Sequence, residues 1–246
     1  VIDLNRVPAL AGIRVEQNVL HVGAMTRQGD LETSSVVRDA APLLQAAVRQ
    51  VGHRQTRNRG TLGGSLCHLD PAAELVTAAM AMDATLIAES AGGGTRRIPI
   101  AAWSAGYLTN ALRPGEMLTA IEFPLWRGAQ GHGFVEFARR KGDFAIIGVA
   151  TLLAFDAAGT IARAAVAIGG CGPLPQRPAA VEQALIGQRP SAPLFKEAAR
   201  LAATIEAHSD AHVRADYRRH LARVLTERAL AEAANRVHDA GHGASQ

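Results

Sequence analysis

The residues best suited to bind a charged ligand lie together between Arg57 and Leu75, in the stretch RNRGTLGGSLCHLDPAAEL. Three glycines stand there beside two hydroxyl side chains and an imidazole: Gly60, Gly63, Gly64, Thr61, Ser65 and His68. A glycine-rich turn that runs toward a helix start exposes successive backbone N–H groups, and it lets a large anion approach the main chain closely. The stretch is therefore a candidate loop for a diphosphate group.

The spacing of these residues matches neither familiar phosphate motif. A P-loop requires Lys followed by Ser or Thr after its last glycine, whereas Gly64 is followed by Ser65 and Leu66. The G-x-G-x-x-G spacing of dinucleotide-binding loops is also missing from the stretch. From these residues alone, a tight structural turn remains an equal alternative to a ligand site.

The cysteines and histidines do not predict a metal site. Cys67 and Cys171 do not form a C-x-x-C pair, so iron–sulfur clusters and structural zinc are not expected in this chain. His208 and His212 have helical i, i+4 spacing, but the sequence offers no evident third ligand. Cys67 is expected to be a buried thiol, because no neighbouring residue would lower its pKa.

Composition excludes several classes of protein. The chain has 246 residues, of which 48% are hydrophobic, so it can bury a substantial core. With 26 Lys and Arg against 22 Asp and Glu and only 4% aromatic residues, it lacks the basic runs and stacking platforms of nucleic-acid-binding proteins. No apolar run is long enough for a membrane helix and no secretory signal opens the sequence, so we expect a cytoplasmic location.

The first half is expected to combine helices and strands. Strands are predicted in the segments GIRVEQNVLHVGAMT, ATLIAESAGGGTRRIPI and LRPGEMLTAIEFPL. One helix is predicted over VVRDAAPLLQAAVRQVG, ending at Gly52. Asp70 as N-cap and Pro71 at the first helical position predict a second helix that extends to about Met82, so Asp70 is expected to cap rather than to bind.

The glycine-rich segment RGAQGHG, from Arg127 to Gly133, predicts a break between two domains. We place the domains at 1–128 and 129–246. After the break, three strands are expected, the last two joined by a turn at Asp156 to Gly159. Helices are then expected at roughly 178–186, 193–208 and 215–237. The predicted fold class is α+β.

The stretch NRGTLGGSLCHLDPAAEL resembles the second FAD-binding loop of the FAD-binding (medium) subunits of molybdenum hydroxylases, the xanthine dehydrogenase and carbon monoxide dehydrogenase family. Other segments resemble the same family in the same order: VIDLNRVPALAGI, LHVGAMTR, ALRPGEMLTAIEFP, RRKGDFAIIGVA and YRRHLARVLTERAL. The resemblance covers nearly the whole chain. The given sequence does not contain the family's earlier glycine-rich FAD loop. The sequence is therefore either a fragment of a longer protein or a naturally short form.

The resemblance implies a FAD-binding domain of the molybdopterin-dehydrogenase type, followed by a small C-terminal domain of a three-stranded sheet and helices. It also implies eight cofactor-binding residues and no catalytic side chain. Diphosphate contacts would come from Thr61, Gly63, Gly64 and Ser65, contacts near the ribityl or ribose hydroxyls from His68 and Glu74, and contacts to the flavin from Leu112 and Phe144. Without the resemblance, His68 would be a loop histidine and Phe144 a core residue. The run Arg139-Arg140-Lys141 would be solvated surface, although near a flavin it could stabilise the anionic reduced form.

The implied function is electron transfer through FAD within a multi-subunit complex. A large subunit would carry the molybdenum cofactor, and a small subunit would carry 2Fe–2S clusters, which agrees with the absence of paired cysteines here. A dimer of three-subunit units is the expected assembly. Two alternatives remain: an assembly subunit that holds no flavin, and a flavin enzyme that acts alone. The sequence identifies neither the substrate of the complex nor the electron acceptor.

Overall fold

The computed structural model describes residues 2–239. The last residues of the predicted second domain, 240–246, lie outside this range. Two antiparallel sheets and the helices packed on them form an α+β fold, as expected.

The first sheet has five strands in the order β1-β2-β7-β3-β4. Its strands are β1 (Ile13–Glu16), β2 (Val19–Gly23), β3 (Thr85–Ser90), β4 (Thr95–Pro99) and β7 (Glu116–Pro124). A separate two-stranded ribbon joins β5 (Ser104–Gly106) to β6 (Thr109–Asn110). The helices of this half are α1 (Gln28–Thr33), α2 (Ser35–Ala40), α3 (Pro42–Val48), α4 (Arg54–Arg59), α5 (Leu62–His68) and α6 (Glu74–Ala81).

The second sheet has the order β10-β9-β8-β11. Its three long strands are β8 (Ala129–Phe137), β9 (Ile147–Phe155) and β10 (Ile161–Gly169), and the two-residue strand β11 (His238–Asp239) pairs with β8. The helices of this half are α7 (Ala179–Leu185), α8 (Ala192–Ala202) and α9 (Ala215–Asn235). Helix α8 ends earlier than predicted, at Ala202, where the hydroxyl of Thr204 donates to the carbonyl of Leu201 at 2.8 Å.

The predicted hairpins are confirmed, because their turn residues determine the geometry locally. Gln17 and Asn18 both have positive φ, 48° and 64°, as a two-residue hairpin turn requires. The turn between β9 and β10 is closed by the carboxylate of Asp156, which accepts from the N–H groups of Ala158 and Thr160 at 2.9 and 2.8 Å.

The single helix predicted up to Gly52 is wrong, since two helices occupy that segment. Helix α2 stops at Ala40, and Ala41 leaves the helical region with φ −141° and ψ 58°. Pro42 then begins α3 at its first position. The residue before a proline is disfavoured in the helical conformation, so Pro42 both ends one helix and starts the next.

The glycine-rich segment 127–133 is not a loop throughout, since strand β8 begins at Ala129 and contains two of its glycines. A Cβ at Gly131 would collide with the carbonyl of Ala233, and one at Gly133 with the carbonyl of Ala229. The glycines therefore allow helix α9 to lie directly on the strand. The division at residue 128 stays a prediction.

The apolar core continues from one half into the other. Phe134, Leu152 and Ala165 belong to the same buried cluster as the helices and strands of the first half. Charges also join the halves, because Asp83 pairs with Arg163 at 3.0 Å and with Arg177, which binds Glu182 in turn. In the part of the chain that the structure describes, no helix has the length and apolarity needed to cross a membrane.

Candidate functional site

The stretch predicted as a ligand loop is largely helical. Thr61 is the N-cap of α5, and its hydroxyl oxygen accepts from the N–H of Gly64 at 3.0 Å. A capping side chain of this kind satisfies one of the donors that a helix start leaves open. The first turn of α5 is consequently a formed structure before any ligand arrives.

The other backbone donors of this turn are used inside the protein. The N–H of Leu62 donates to the carbonyl of Thr26 at 3.0 Å, and that of Gly63 to the carbonyl of Ala24 at 2.8 Å. The hydroxyl of Ser65 has no hydrogen-bond partner among residues 2–239 and is half-buried. The side-chain donors that remain for a ligand are the hydroxyls of Thr61 and Ser65, whereas the N–H groups of Leu62, Gly63 and Gly64 already have acceptors within the protein.

The two adjacent glycines of α5 have different environments. A Cβ at Gly63 would meet the carbonyl oxygen of Ala24 at 2.6 Å and its Cβ at 2.7 Å, so this glycine allows α5 to pack on the first sheet. A Cβ at Gly64 would meet only the Oγ1 of Thr61, at 2.9 Å, and Gly64 is exposed. The bare surface available to a ligand is thus at Gly64.

Helical spacing places four predicted residues on the outer face of α5. Thr61, Gly64, Ser65 and His68 follow one another at intervals of three, one and three positions, and none of them is buried. The opposite side is fixed by Trp103, whose indole N–H donates to the carbonyl of Leu66 at 2.7 Å. Because Trp103 is fully buried, the helix has a defined position.

Asn110 connects the end of α5 to Leu112. Its Nδ2 donates to the carbonyl of Cys67 at 2.9 Å, and its Oδ1 accepts from the N–H of Leu112 at 3.1 Å. Leu112 is half-buried against the core and is thereby held beside the C-terminal end of α5. This amide was not predicted from the sequence, because both of its bonds depend on the tertiary fold.

A cavity of about 360 Å³ lies where α5 ends and the two halves meet. Its volume is in the range of small-molecule sites, about 300–1,000 Å³. Two exposed aromatic side chains stand on its rim, Tyr107 from the first half, 65% exposed, and Phe144 from the second half, 64% exposed. Asp70 also lines the cavity. It directly follows Leu69, whose backbone is left-handed with φ 53°. Phe144 is therefore a surface residue and not part of the core.

Asp70 does not begin a helix as predicted. Its carboxylate accepts from the N–H of Ala72 at 2.8 Å, which forms a local turn, and α6 begins at Glu74 after Ala73 as N-cap. The Asp-Pro signal therefore marks a turn that leads along the cavity rather than a helix start.

Arg218 supports the second-half wall of the cavity. Its Nη1 donates to the carbonyls of Ile146 at 2.9 Å and of Gly170 at 2.6 Å, and its Nη2 pairs with Asp210. Ile146 is two positions after Phe144, so the guanidinium fixes the base of the loop that carries the aromatic ring. Arg218 lies in a segment that carried the resemblance, but its role requires the tertiary structure.

Glu74 lies apart from the other predicted residues. It is 5% exposed, and burial raises its pKa to about 7, with a further contribution from the nearby charge of Asp70. Glu136 of β8 was not predicted, and burial followed by repulsion from Glu74 raises its pKa to about 8. The Oε2 of Glu136 is buried and has no hydrogen-bond partner. The buried carboxyl group of Glu74 and the partly buried carboxyl group of Glu136 therefore interact electrostatically across the two halves.

Two arginines give the start of α5 a positive environment. Arg27 forms an isolated β-bridge with Thr61, and its guanidinium donates to the carbonyl of Arg59. The guanidinium of Arg59 has no ion-pair partner within the described part of the chain. Outward hydroxyls, a bare glycine and nearby cations are a donor set that fits a diphosphate.

The described residues contain no cluster of His, Cys, Asp and Glu that could hold a metal ion. Burial raises the pKa of the Cys67 thiol to about 11 and that of Cys171 to about 12, so both thiols are protonated at neutral pH. Cys67 was predicted to be a buried thiol; the structure places it partly buried, with the raised pKa of an unreactive thiol.

The chain resembles known proteins along almost its whole length. Residues 1–126 match the family described as the FAD binding domain in molybdopterin dehydrogenase, and residues 132–233 match the CO dehydrogenase flavoprotein C-terminal domain. The 6-hydroxypseudooxynicotine dehydrogenase complex subunit alpha of Paenarthrobacter nicotinovorans is 36% identical, over 96% of this chain and 80% of that protein.

Two solved structures have the same fold. Carbon monoxide dehydrogenase from Hydrogenophaga pseudoflava superposes with a TM-score of 0.89 at 31% identity, covering 95% of this chain and 81% of that one. Quinoline 2-oxidoreductase from Pseudomonas putida 86 gives a TM-score of 0.88 at 32% identity, with the same two coverages.

Proposed function

The chain belongs to the family of FAD-binding medium subunits of molybdenum hydroxylases, and from this premise we propose that it carries FAD and passes electrons from a partner's iron–sulfur clusters to an external acceptor. One observation carries the proposal: the chain that follows the outer face of α5 lines, from Asp70 to Ala72, a cavity rimmed by exposed aromatic side chains from both halves. A ligand with an anionic middle and a planar aromatic end matches this arrangement.

In this proposal the start of α5 binds the diphosphate. The hydroxyl groups of Thr61 and Ser65 donate hydrogen bonds to phosphate oxygens. Gly64 allows the phosphate to approach the main chain closely, and Arg59 supplies positive charge. Gly63 is assigned an indirect role, because its packing on Ala24 sets the position of the turn.

The remaining residues would hold the flavin end. Leu112 and Phe144 contact the ring, Asn110 positions Leu112, and His68 lies near the sugar hydroxyls. Glu74 is buried, so it would accept a hydrogen bond from a sugar hydroxyl only after its carboxyl group becomes accessible. Electron transfer is the chemistry that bound FAD supplies, while the protein determines its position and electrostatic surroundings. No side chain is required to act as acid or base.

We propose that the partners are a large subunit with the molybdenum cofactor and a small subunit with 2Fe–2S clusters. The similar protein from Paenarthrobacter nicotinovorans is described as a subunit of a dehydrogenase complex. Cys67 is partly buried, Cys171 is buried, and both thiols are protonated and far apart in sequence, so an electron donor with thiolate-bound iron would have to be another chain. The domain division at residue 128, the three-subunit assembly and a cytoplasmic location stay predictions.

The test is to purify the chain, saturate it with FAD, remove free cofactor and quantify the flavin that remains bound. We expect one FAD per chain. Ser65→Ala should lower the affinity for FAD by roughly tenfold, the worth of a hydrogen bond to a charged group. Ser35→Ala is the matched control, because Ser35 is an exposed helix-start serine on α2, away from α5.

Equal affinity in the Ser65 and Ser35 variants would contradict the diphosphate assignment. A chain that stays colourless at saturating FAD would contradict the flavin function itself and favour the assembly subunit.

A further inference from the structure

The loop that carries Phe144 has few internal backbone hydrogen bonds. It runs from the end of β8 at Phe137 to the start of β9 at Ile147, and the N–H of Ile146 closes it by donating to the carbonyl of Phe137 at 2.7 Å. Within it, the N–H of Asp143 donates to the carbonyl of Arg140 at 3.2 Å. The loop therefore needs contacts from outside to hold one conformation.

One such contact comes from the other half of the chain, at His53. A Cβ built on Gly142 would collide with the imidazole of His53, at 2.8 Å from Nδ1 and 2.9 Å from Nε2. The imidazole thus occupies the space where any other residue would place its side chain. Gly142 also has φ +88°, a conformation that favours glycine, so both the space and the backbone require a glycine there.

The side chain of His53 is free to make this contact because it does not cap its own helix. His53 is the N-cap of α4, a position where Ser, Thr, Asp or Asn usually bonds to the helix start, yet it makes no capping hydrogen bond. Its ring is directed to the loop of the second half instead.

Charge around the contact opposes it. One cavity of about 600 Å³ is lined by more cations than anions. Its charged and titratable residues are Arg49, His53, Arg54, Arg57, Arg140 and Lys141 against Glu32, which pairs with Arg57, and Glu136, whose raised pKa favours the neutral form. Arg54 belongs to the first half, Arg140 and Lys141 belong to the loop, and none of the three has an ion-pair partner within residues 2–239. Electrostatic repulsion between these cations would move the loop outward. A contact that holds the loop in place must offset this repulsion.

The loop also forms a wall of the aromatic-rimmed cavity. Arg139 and Phe144 line the cavity of about 360 Å³, whereas Arg140 and Gly142 line the larger one on the other side. A shift of the loop at Gly142 would therefore move Phe144, two positions later, relative to Tyr107 and Asp70.

We propose that the stacking of the His53 ring on Gly142 is an interdomain clasp that positions the Phe144 loop over the flavin site, so that His53 is a positioning residue for the cofactor. The role toward the flavin rests on the proposed function, whereas the clasp itself belongs to the protein alone. A flat ring at position 53 and no side chain at position 142 are its two requirements.

The first measurement is limited trypsin digestion of the full chain without FAD, with the cleavage sites identified by mass spectrometry. Cleavage after Arg139, Arg140 and Lys141 reports opening of the loop, and cleavage after the exposed Arg127 serves as the internal reference. We expect His53→Ala and Gly142→Ala each to accelerate loop cleavage roughly fivefold or more. His53→Phe should restore the slow rate, because it keeps a flat ring.

Gly159→Ala is the matched control for Gly142→Ala. Gly159 has φ +75°, but a Cβ there would meet nothing within 4 Å, so this variant has the backbone strain without the collision. It should leave loop cleavage unchanged. His53→Ala combined with Gly142→Ala should cleave no faster than either single variant, because both break the same contact.

Loop cleavage at the wild-type rate in His53→Ala would overturn the clasp, and so would an equal acceleration by Gly159→Ala. With FAD bound, His53→Ala should change the visible circular dichroism of the flavin while the bound amount stays the same. An unchanged spectrum would overturn the positioning role. A chain that binds no FAD contradicts the proposed function, whereas the digestion result still decides the clasp.

Discussion

Glu136 of strand β8 lies within electrostatic reach of Glu74 of helix α6, so a carboxyl group of one half of the chain raises the pKa of a carboxyl group of the other half. Burial is the main cause that raises the pKa of both, to about 7 for Glu74 and about 8 for Glu136. At neutral pH the protonated form is therefore favoured at Glu136, and Glu74 is close to half protonated.

This pair predicts how stability depends on pH. From the ordinary value of 4.5 up to about 8, the folded chain binds more protons than the unfolded chain, so the free energy of unfolding falls as pH rises. Glu136→Gln should remove part of this decrease in the free energy of unfolding, because the amide cannot ionise. Its stability gain over wild type should be absent near pH 4 and reach about 2 kcal/mol at pH 9, after a discount for partial exposure.

Urea unfolding at several pH values measures the gain. Glu89→Gln is the control, because Glu89 is an exposed glutamate on β3. A gain for Glu136→Gln that is the same at pH 4 and pH 9 would show that the carboxyl is not forced to ionise in a buried site.

The two glycines of α5 should separate stability from binding. Gly63→Ala forces a methyl group into Ala24, and we expect a loss of about 2–3 kcal/mol in the free energy of unfolding. Gly64→Ala places its methyl group outward beside Thr61, so stability should change by less than about 1 kcal/mol while FAD affinity falls. Thermal unfolding and flavin titration of both variants test this, and the reverse pattern would exclude Gly64 from the ligand surface.

Asn110 should affect the flavin site through Leu112. Asn110→Asp keeps an oxygen that can accept from the N–H of Leu112, but it places a carboxylate against the carbonyl of Cys67. We expect FAD affinity to fall and the visible spectrum of the bound flavin to shift. Thr109→Ala is a neighbouring control, since Thr109 is exposed and bonds only to Tyr107. An unchanged spectrum in Asn110→Asp would mean that Leu112 does not contact the ring.

Trp103 should stabilise the chain through its indole N–H. Trp103→Phe removes the donor to Leu66 and leaves that carbonyl buried without it, at a cost of about 1–3 kcal/mol. Comparison with Trp126→Phe is informative, because the indole N–H of Trp126 is buried without a partner. Chemical denaturation should show a larger loss for Trp103→Phe than for Trp126→Phe, and equal losses would contradict the importance of the bond.

Local signals in the sequence predicted the hairpins and the long helix α9, because turn residues and apolar periodicity act over short distances. The same signals failed at Gly131 and Gly133, where glycine indicates a break locally but serves helix packing in the fold. They also failed at Asp70, whose side chain closes a turn four positions before the start of the next helix.

The candidate site was predictable where its residues share one segment. Thr61, Gly64, Ser65 and His68 lie on one short helix, and the family resemblance identified that segment. Three residues could not be found in this way, because each contacts a residue far along the chain. Asn110 bonds to Cys67, 43 positions away, and Arg218 bonds to Gly170, 48 positions away. His53 lies against Gly142, which is 89 positions away and in the other half. Such residues become visible only when the folded chain is available.

The buried cluster that contains Phe134 and Leu152 together with the first-half helices limits what a sequence boundary can mean. A protein cut at residue 128 would present to water an apolar surface that the intact chain covers, and we expect either piece alone to aggregate. Two sequence families meet in this chain, and one buried apolar cluster extends across both of them. A substitution that destabilises the packing of one half would therefore also destabilise the other half. The residues at this shared core are constrained by both halves.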